Sequence, residues 1–291
     1  MLAVVGTVPN PELGVLTGPA ELVNGTLLVD GRSVEINRGT PALIAAALSA
    51  GRAGGDEGVF AFLVGDIGTG QGSRKLYQYL ADNLPTLSFS AMAFHYLQPE
   101  VDGHGRVFLA VMEMSPRPLL IADAGFMYAA KMSGQASSYD LFTPDTGELA
   151  FLADPEAPHP FYTRGFILHQ EDQVPRLIAR AYAHGNAARN LLVKGRQDYL
   201  VIGSENVLML DGPSHPAMEA IGGTGDTLTG MAAALAAAGM EVGWAARTAA
   251  LANRLAGSMT KPTPATQISE LIARLPEALG QALDSLEEAE S

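Results

Sequence analysis

The chain has 291 residues, of which 47% are apolar and 17% charged, with a formal net charge of −13. That length can bury a large core, and the acidic balance disfavours a general nucleic-acid partner because it repels phosphate backbones. With no cysteine at all, disulfides, thiolate zinc sites and thiol nucleophiles are excluded.

No apolar run reaches the ~18 residues of a membrane span, and the N-terminus lacks a basic leader, so a soluble cytoplasmic protein without a membrane partner is expected. Residues 1–36 read as a β extension. The stretch "AELVNGTLLVDGRSVEI" alternates apolar and polar positions and carries Asn24-Gly25 and Asp30-Gly31, both hairpin-turn pairs. "TPALIAAALSAGRAGG" then predicts a helix with Thr40 as its N-cap and Pro41 at its first position. "VFAFLVGD" predicts a buried strand and "SRKLYQYLADNL" a helix.

Further along, "RVFLAVMEM", "RPLLIADAG", "YDLFTP", "NLLVKG" and "DYLVIG" are strand expectations, with "NVLMLDG" pairing antiparallel to "DYLVIG". "EDQVPRLIARAYAHG" is expected to be helical. So is the C-terminal part through "GWAARTAALANRLAGSM" and "ISELIARLPEALGQALDSLEEAE", the last helix kinked or divided at Pro276. Residues 154–172, "DPEAPHPFYTRGFILHQED", read as a packed surface excursion, a lid or an oligomer contact. Their His159 and His169 suit no common metal spacing, and no metal ligand is assigned. Strands alternating with helices point to an α/β domain over 37–291 with a largely parallel sheet.

The chemistry concentrates in "AIGGTGDTLTGMAAALAAAG", Ala220 to Gly239. Gly222, Gly223 and Gly225 permit a tight turn and a close approach to the backbone. A helix beginning near Thr227 directs unpaired N–H groups and its positive end into the same space, so Gly223, Thr224 and Gly225 form a candidate anion hole. Asp226 at its lip can take a proton from an attacking hydroxyl. Equally, Asp226 can be a plain N-cap and the glycines can serve helix packing.

The same stretch resembles the signature of the ribokinase-like superfamily, most closely the ADP/ATP-dependent NAD(P)H-hydrate dehydratases of the carbohydrate kinase-like group. "VGDIGTGQGSRKLYQYL" is similar to that family's glycine loop, "RPLLIADAG" to its Asp-Ala strand end, and "YDLFTPDTGELAFL" to its TPHPGE turn. "NLLVKGRQDYLV" is similar to its Lys-Gly strand end, and two closing helices follow. The resemblance runs from about Asn37 to Leu279. It implies a three-layer α/β/α domain at 37–291, with residues 1–36 as an added N-terminal β-hairpin extension.

By that resemblance Asp226 is the catalytic carboxylate, and Lys194, Gly195 and Asp198 contact a nucleotide. Ala42, Gly68, Gly70 and Asp145 lie toward the substrate. Read alone, Lys194 is equally a solvated strand-end lysine. Asp145 replaces the family's histidine and adds a carboxylate facing phosphate. The implied cofactors are ATP or ADP with Mg2+, and the implied substrates are NADHX and NADPHX, the hydrated forms of NADH and NADPH. A kinase of another small alcohol shares the first chemical step, and a non-catalytic nucleotide-binding scaffold is the non-enzymatic alternative. The alanine-rich stripes and the N-terminal addition suit either core packing or a homo-oligomer.

Overall fold

The computed structural model describes residues 1–54, 58–157, 173–204 and 206–288. Strand β1 (Leu2–Val8) is apolar at nearly every position, a pattern suited to a strand covered on both faces. It pairs in parallel with β5 (Val59–Gly65) on one side and β6 (Ala91–Phe94) on the other. Beyond β6 the sheet continues in parallel through β7 (Leu119–Ala122), β8 (Leu141–Phe142) and β9 (Asn190–Val193). The antiparallel strands β10 (Asp198–Ile202) and β11 (Asn206–Leu210) finish that end, and β2 (Leu16–Val23), β3 (Thr26–Val29) and β4 (Arg32–Val34) finish the other. The order across the single eleven-stranded sheet is β11-β10-β9-β8-β7-β6-β1-β5-β2-β3-β4.

Alternation along the strands builds two cores. Leu2, Val4, Ala61, Leu63, Ala91 and Ala93 face one layer, while Ala3, Val5, Phe62, Val64, Met92 and Phe94 face the other. The first layer holds α1 (Thr40–Gly54), α7 (Thr224–Ala237), α8 (Val242–Thr260), α9 (Ile268–Ile272) and α10 (Leu275–Glu288). The second holds α2 (Gln71–Asn83), α3 (Val101–Glu113), α4 (Ala124–Met132), α5 (Thr146–Ala153) and α6 (Val174–Ala183). This is the expected three-layer arrangement. The alanine stripe of α7 is core: Gly230 lets it approach α1 so closely that a side chain there would run into the Leu43 carbonyl.

Four sequence expectations change. The antiparallel N-terminal addition is β2–β4, whereas β1 lies mid-sheet, because a strand buried on both faces belongs at the centre. "RVFLAVMEM" falls in helix α3, where Gly103, His104, Val107, Ala110 and Val111 form a buried stripe of helical spacing. Thr40 is already the first residue of α1. The last helix is divided as expected, but at Ala273–Arg274, so that Pro276 sits in the first turn of α10, where its missing N–H costs nothing. His159, His169 and most of the 154–172 segment lie outside the described residues.

Candidate active site

Parallel strands end along one edge of a sheet, and the polar residues that follow them meet there. The first residue after β9 is Lys194, after β8 Thr143, after β7 Asp123, after β6 His95 and after β5 Asp66. Two of these positions are followed at once by a left-handed non-glycine residue, Tyr96 at φ 48° and Ala124 at φ 51°. Such conformations are costly for these side chains and are held by the surrounding structure.

Helix α7 brings Asp226 to this row. Gly223, at φ 105°, turns the chain into the helix, which starts at Thr224 and so carries Asp226 in its first turn. One Asp226 oxygen accepts the Gly39 N–H at 2.6 Å. The other lies 3.0 Å from His95 Nε2. His95 is fully buried; its Nδ1 lies 3.0 Å from the Thr40 hydroxyl and its Nε2 stands 3.9 Å from Asp123 Oδ2. Gly6 in β1 leaves room for this pair, since any side chain there would strike Thr40 and the His95 carbonyl.

Asp123 caps α4 through the Ala124 N–H and takes the Lys194 ammonium on both oxygens, at 2.8 and 2.7 Å. Thr229 donates to the same carboxylate at 2.7 Å, with the Thr143 hydroxyl 2.9 Å from Thr229. Lys194 reaches Asp123 by crossing bare Gly225, where an added Cβ would stand 3.4–3.5 Å from the lysine's outer atoms. Lys194 is therefore a largely covered partner of Asp123 and not a solvated strand end. Among the described residues no protein group accepts the amides of Thr224, Gly225 or Asp226.

Burial works against ionised Asp226, but His95, Lys194 and the Gly39 N–H outweigh it and hold the carboxyl below its ordinary range. Burial also opposes the Lys194 charge, yet Asp123 and Glu148 push its value up. Glu148 is the reverse case: burial and the charges of Asp145 and Asp123 raise it to about 8.

Other expected site residues take different places. Asp145 caps α5 in a reciprocal box with Glu148, at 2.7 and 2.8 Å. Its carboxylate thus has a structural use that a histidine would not fill as well. Asp198 is turned inward, bonded to Arg254 at 2.7 Å and to the Gly195 N–H at 3.0 Å, with Gly195 itself exposed at the turn. Ala42 is completely buried between the sheet and α7, without surface to offer a substrate. Gly68 and Gly70 adopt φ 94° and 76° in a loop whose amides are bound by Asp66. Sequence reasoning missed His95 and gave Asp123 no role beyond the Asp-Ala strand end, although each is the polar residue ending an apolar run.

The family described as carbohydrate kinase, NAD(P)H-hydrate dehydratase, matches residues 100–277, more than half of the chain. The chain belongs to this family. The protein MJ1337 of Methanocaldococcus jannaschii, itself uncharacterized, is 39% identical over 220 residues, which is 75% of this chain and 90% of that protein. The bifunctional NAD(P)H-hydrate repair enzyme Nnr of Pyrobaculum aerophilum is 32% identical over 162 residues, 55% of this chain but only 29% of that enzyme. Among solved structures, the ADP/ATP-dependent NAD(P)H-hydrate dehydratase of Bacillus subtilis, co-crystallized with ATP/Mg2+, has a TM-score of 0.59 at 15% identity. It covers 97% of this chain and 89% of that one. Phosphofructokinase-2 of Escherichia coli gives 0.57 at 15% identity, over 96% and 99%. The fold is ribokinase-like. No helix among the described residues is long and apolar enough to cross a membrane.

Proposed function

We propose that the protein uses ATP or ADP to dehydrate NADHX and NADPHX, phosphorylating the ring hydroxyl and eliminating phosphate. One observation carries this reading: the open amides of Thr224 to Asp226 stand beside a buried carboxylate and an ammonium, at the edge where parallel strands end. The amides and the positive end of α7 suit the transferring phosphoryl group. Asp226, kept ionised, orients the hydroxyl and accepts its proton as the oxygen attacks phosphorus. A carboxylate held below its ordinary range is a weak base, so its larger contribution is orientation. Lys194 offsets charge on the same side.

Mg2+ takes oxygen ligands, and Glu148 with Asp145 offers them beside Asp123. Burial first, and then the charges of Asp145 and Asp123, raise the Glu148 carboxyl, and a divalent cation would offset the second of these effects. When bound there, the ion would shield the nucleotide's phosphates.

A second reading, a kinase for another small hydroxyl-bearing metabolite, draws on Asp145, which occupies the family's histidine position as a helix cap. Incubation with NADHX or NADPHX, Mg2+ and ATP or ADP should restore dihydronicotinamide absorbance. ADP release with other alcohols but no recovery would favour the kinase. Nucleotide binding without either outcome would leave a scaffold.

A further inference from the structure

We infer that Tyr96 is a specificity-determining residue on the acceptor side of the site, a platform on which a flat ring of the hydroxyl-bearing substrate stacks. This role rests on the reading that phosphate lies over the α7 amides and the acceptor hydroxyl lies at Asp226. Tyr96 is the one exposed aromatic side chain among the described residues, at 49%. Aromatic rings elsewhere, such as Phe62, Phe94 and Phe126, are packed into the second core layer. A large ring left open to water beside a buried polar cluster is a surface for a ligand to cover.

The ring is also held in one place. At φ 48° its backbone is in a conformation costly for tyrosine, kept only by what surrounds it. Its carbonyl accepts the Thr7 hydroxyl at 3.0 Å. Its ring centroid stands 4.1 Å from that of His95, and a side chain added at Gly39 would meet its Cδ2 and Cε2 at 3.5 Å. His95 and Gly39 are the two residues that flank the Asp226 carboxylate. The platform therefore lies directly beside the group that orients the hydroxyl.

Burial, and then the charges of Asp226, Asp123 and Glu148, push the Tyr96 hydroxyl up, so the ring stays neutral and electron-rich. Such a face selects by shape. A flat heterocycle covers it fully, whereas an acyclic polyol would strip water from its own hydroxyls without replacing it. Ile67, exposed and likewise two residues beyond a parallel strand, adds apolar surface along the same edge.

Reduced nicotinamide mononucleotide carries the dihydronicotinamide ring and a phosphate but no adenine, so with ADP present it reports on the acceptor side. Calorimetric titration of the full chain should show binding that Tyr96→Phe changes less than ~2-fold. Tyr96→Gly, which removes the ring and suits the left-handed backbone, should weaken it ~10-fold. Ribose 5-phosphate, which has the phosphate without the flat ring, should not distinguish the three proteins, and neither should ADP. Absence of mononucleotide binding to the native protein would overturn the platform. So would equal affinity in the native protein and the glycine variant, or an equal loss for ribose 5-phosphate. Failure to restore dihydronicotinamide absorbance would instead overturn the dehydration, and it leaves the ring-dependent titration to stand or fall separately.

Discussion

The molecule contains two glycine-rich turns that lead into helices, and each has an aspartate beside it. In the turn before α2, Asp66 takes the amides of Gly68, Thr69 and Gly70 on one oxygen and the Ser73 amide and hydroxyl on the other. Its own loop uses up the carboxylate, and the loop's amides are filled. In the turn before α7, Asp226 reaches away to Gly39 and His95 and leaves the first amides of its helix open. Glycine content is therefore a poor guide to anion binding. What decides the matter is whether the neighbouring acid bonds the turn or something else.

The sharpest way to break this contrast is Asp226→Asn. Asparagine keeps the volume and one acceptor but cannot take a proton, so turnover should fall ~10³-fold, while nucleotide affinity stays similar or improves. Equal loss of both in kinetic and binding measurements would mean that Asp226 only holds the turn together. Asp66→Asn should do the converse. Its amide would face the Ser73 N–H donor to donor, costing about 2–3 kcal/mol in denaturant unfolding with little change in nucleotide affinity. Asp66 is held below its ordinary value by those hydrogen bonds, against the opposing effect of burial. Its stabilisation is present above the unfolded value and is lost as pH falls through the folded one, so the variant should also have a shallower acid limb.

Much of this was legible in the residues. Local spacing revealed the glycine turns, the three antiparallel hairpins and most helices. The largely parallel sheet followed from strands alternating with helices, and its three layers from the family resemblance. The identity of the site's centre was not legible, because it depends on sheet order. "AMAF" before His95 is short and alanine-rich, and only its pairing beside β1 sets that histidine next to Asp226, 131 positions further along. Even so, a usable signal existed: the runs "AMAF", "LLIA", "LF" and "NLLV" are each followed at once by a polar residue, and those residues meet at the edge. The helix α3 was misread because Val and Phe favour strands, while the stripe of its buried residues is helical.

Paired glycine substitutions sharpen the comparison at lower cost to the fold. At Gly225 the added methyl would touch Lys194 at ordinary contact distance, so stability should move by less than ~1 kcal/mol, yet the group would shadow the open amides. Gly225→Ala should therefore weaken ATP binding ~10-fold, near 1.4 kcal/mol. Gly70→Ala should show the opposite balance. At φ 76° an alanine costs ~1–2 kcal/mol of stability, and binding should be unchanged. If Gly70→Ala lowers nucleotide affinity as much as Gly225→Ala, the two turns do not differ in the way described.

The smallest expected effect concerns Glu148. A carboxyl whose folded value is raised from 4.5 to about 8 holds its proton in the folded state after the unfolded chain has released it. In that window the folded state binds more protons, so stability declines as pH rises from about 4.5 to about 8. Glu148→Gln removes the titration but keeps the cap, because glutamine at this position also reaches back to the Asp145 amide. Thermal unfolding from pH 5 to 8.5 should therefore show a negative slope that is shallower in the variant. Nucleotide with Mg2+ should flatten the native slope as well, because a cation beside Asp145 and Glu148 favours the ionised carboxyl. A native slope that nucleotide leaves unaltered would put the cation elsewhere along the edge and detach Glu148 from the open-amide turn.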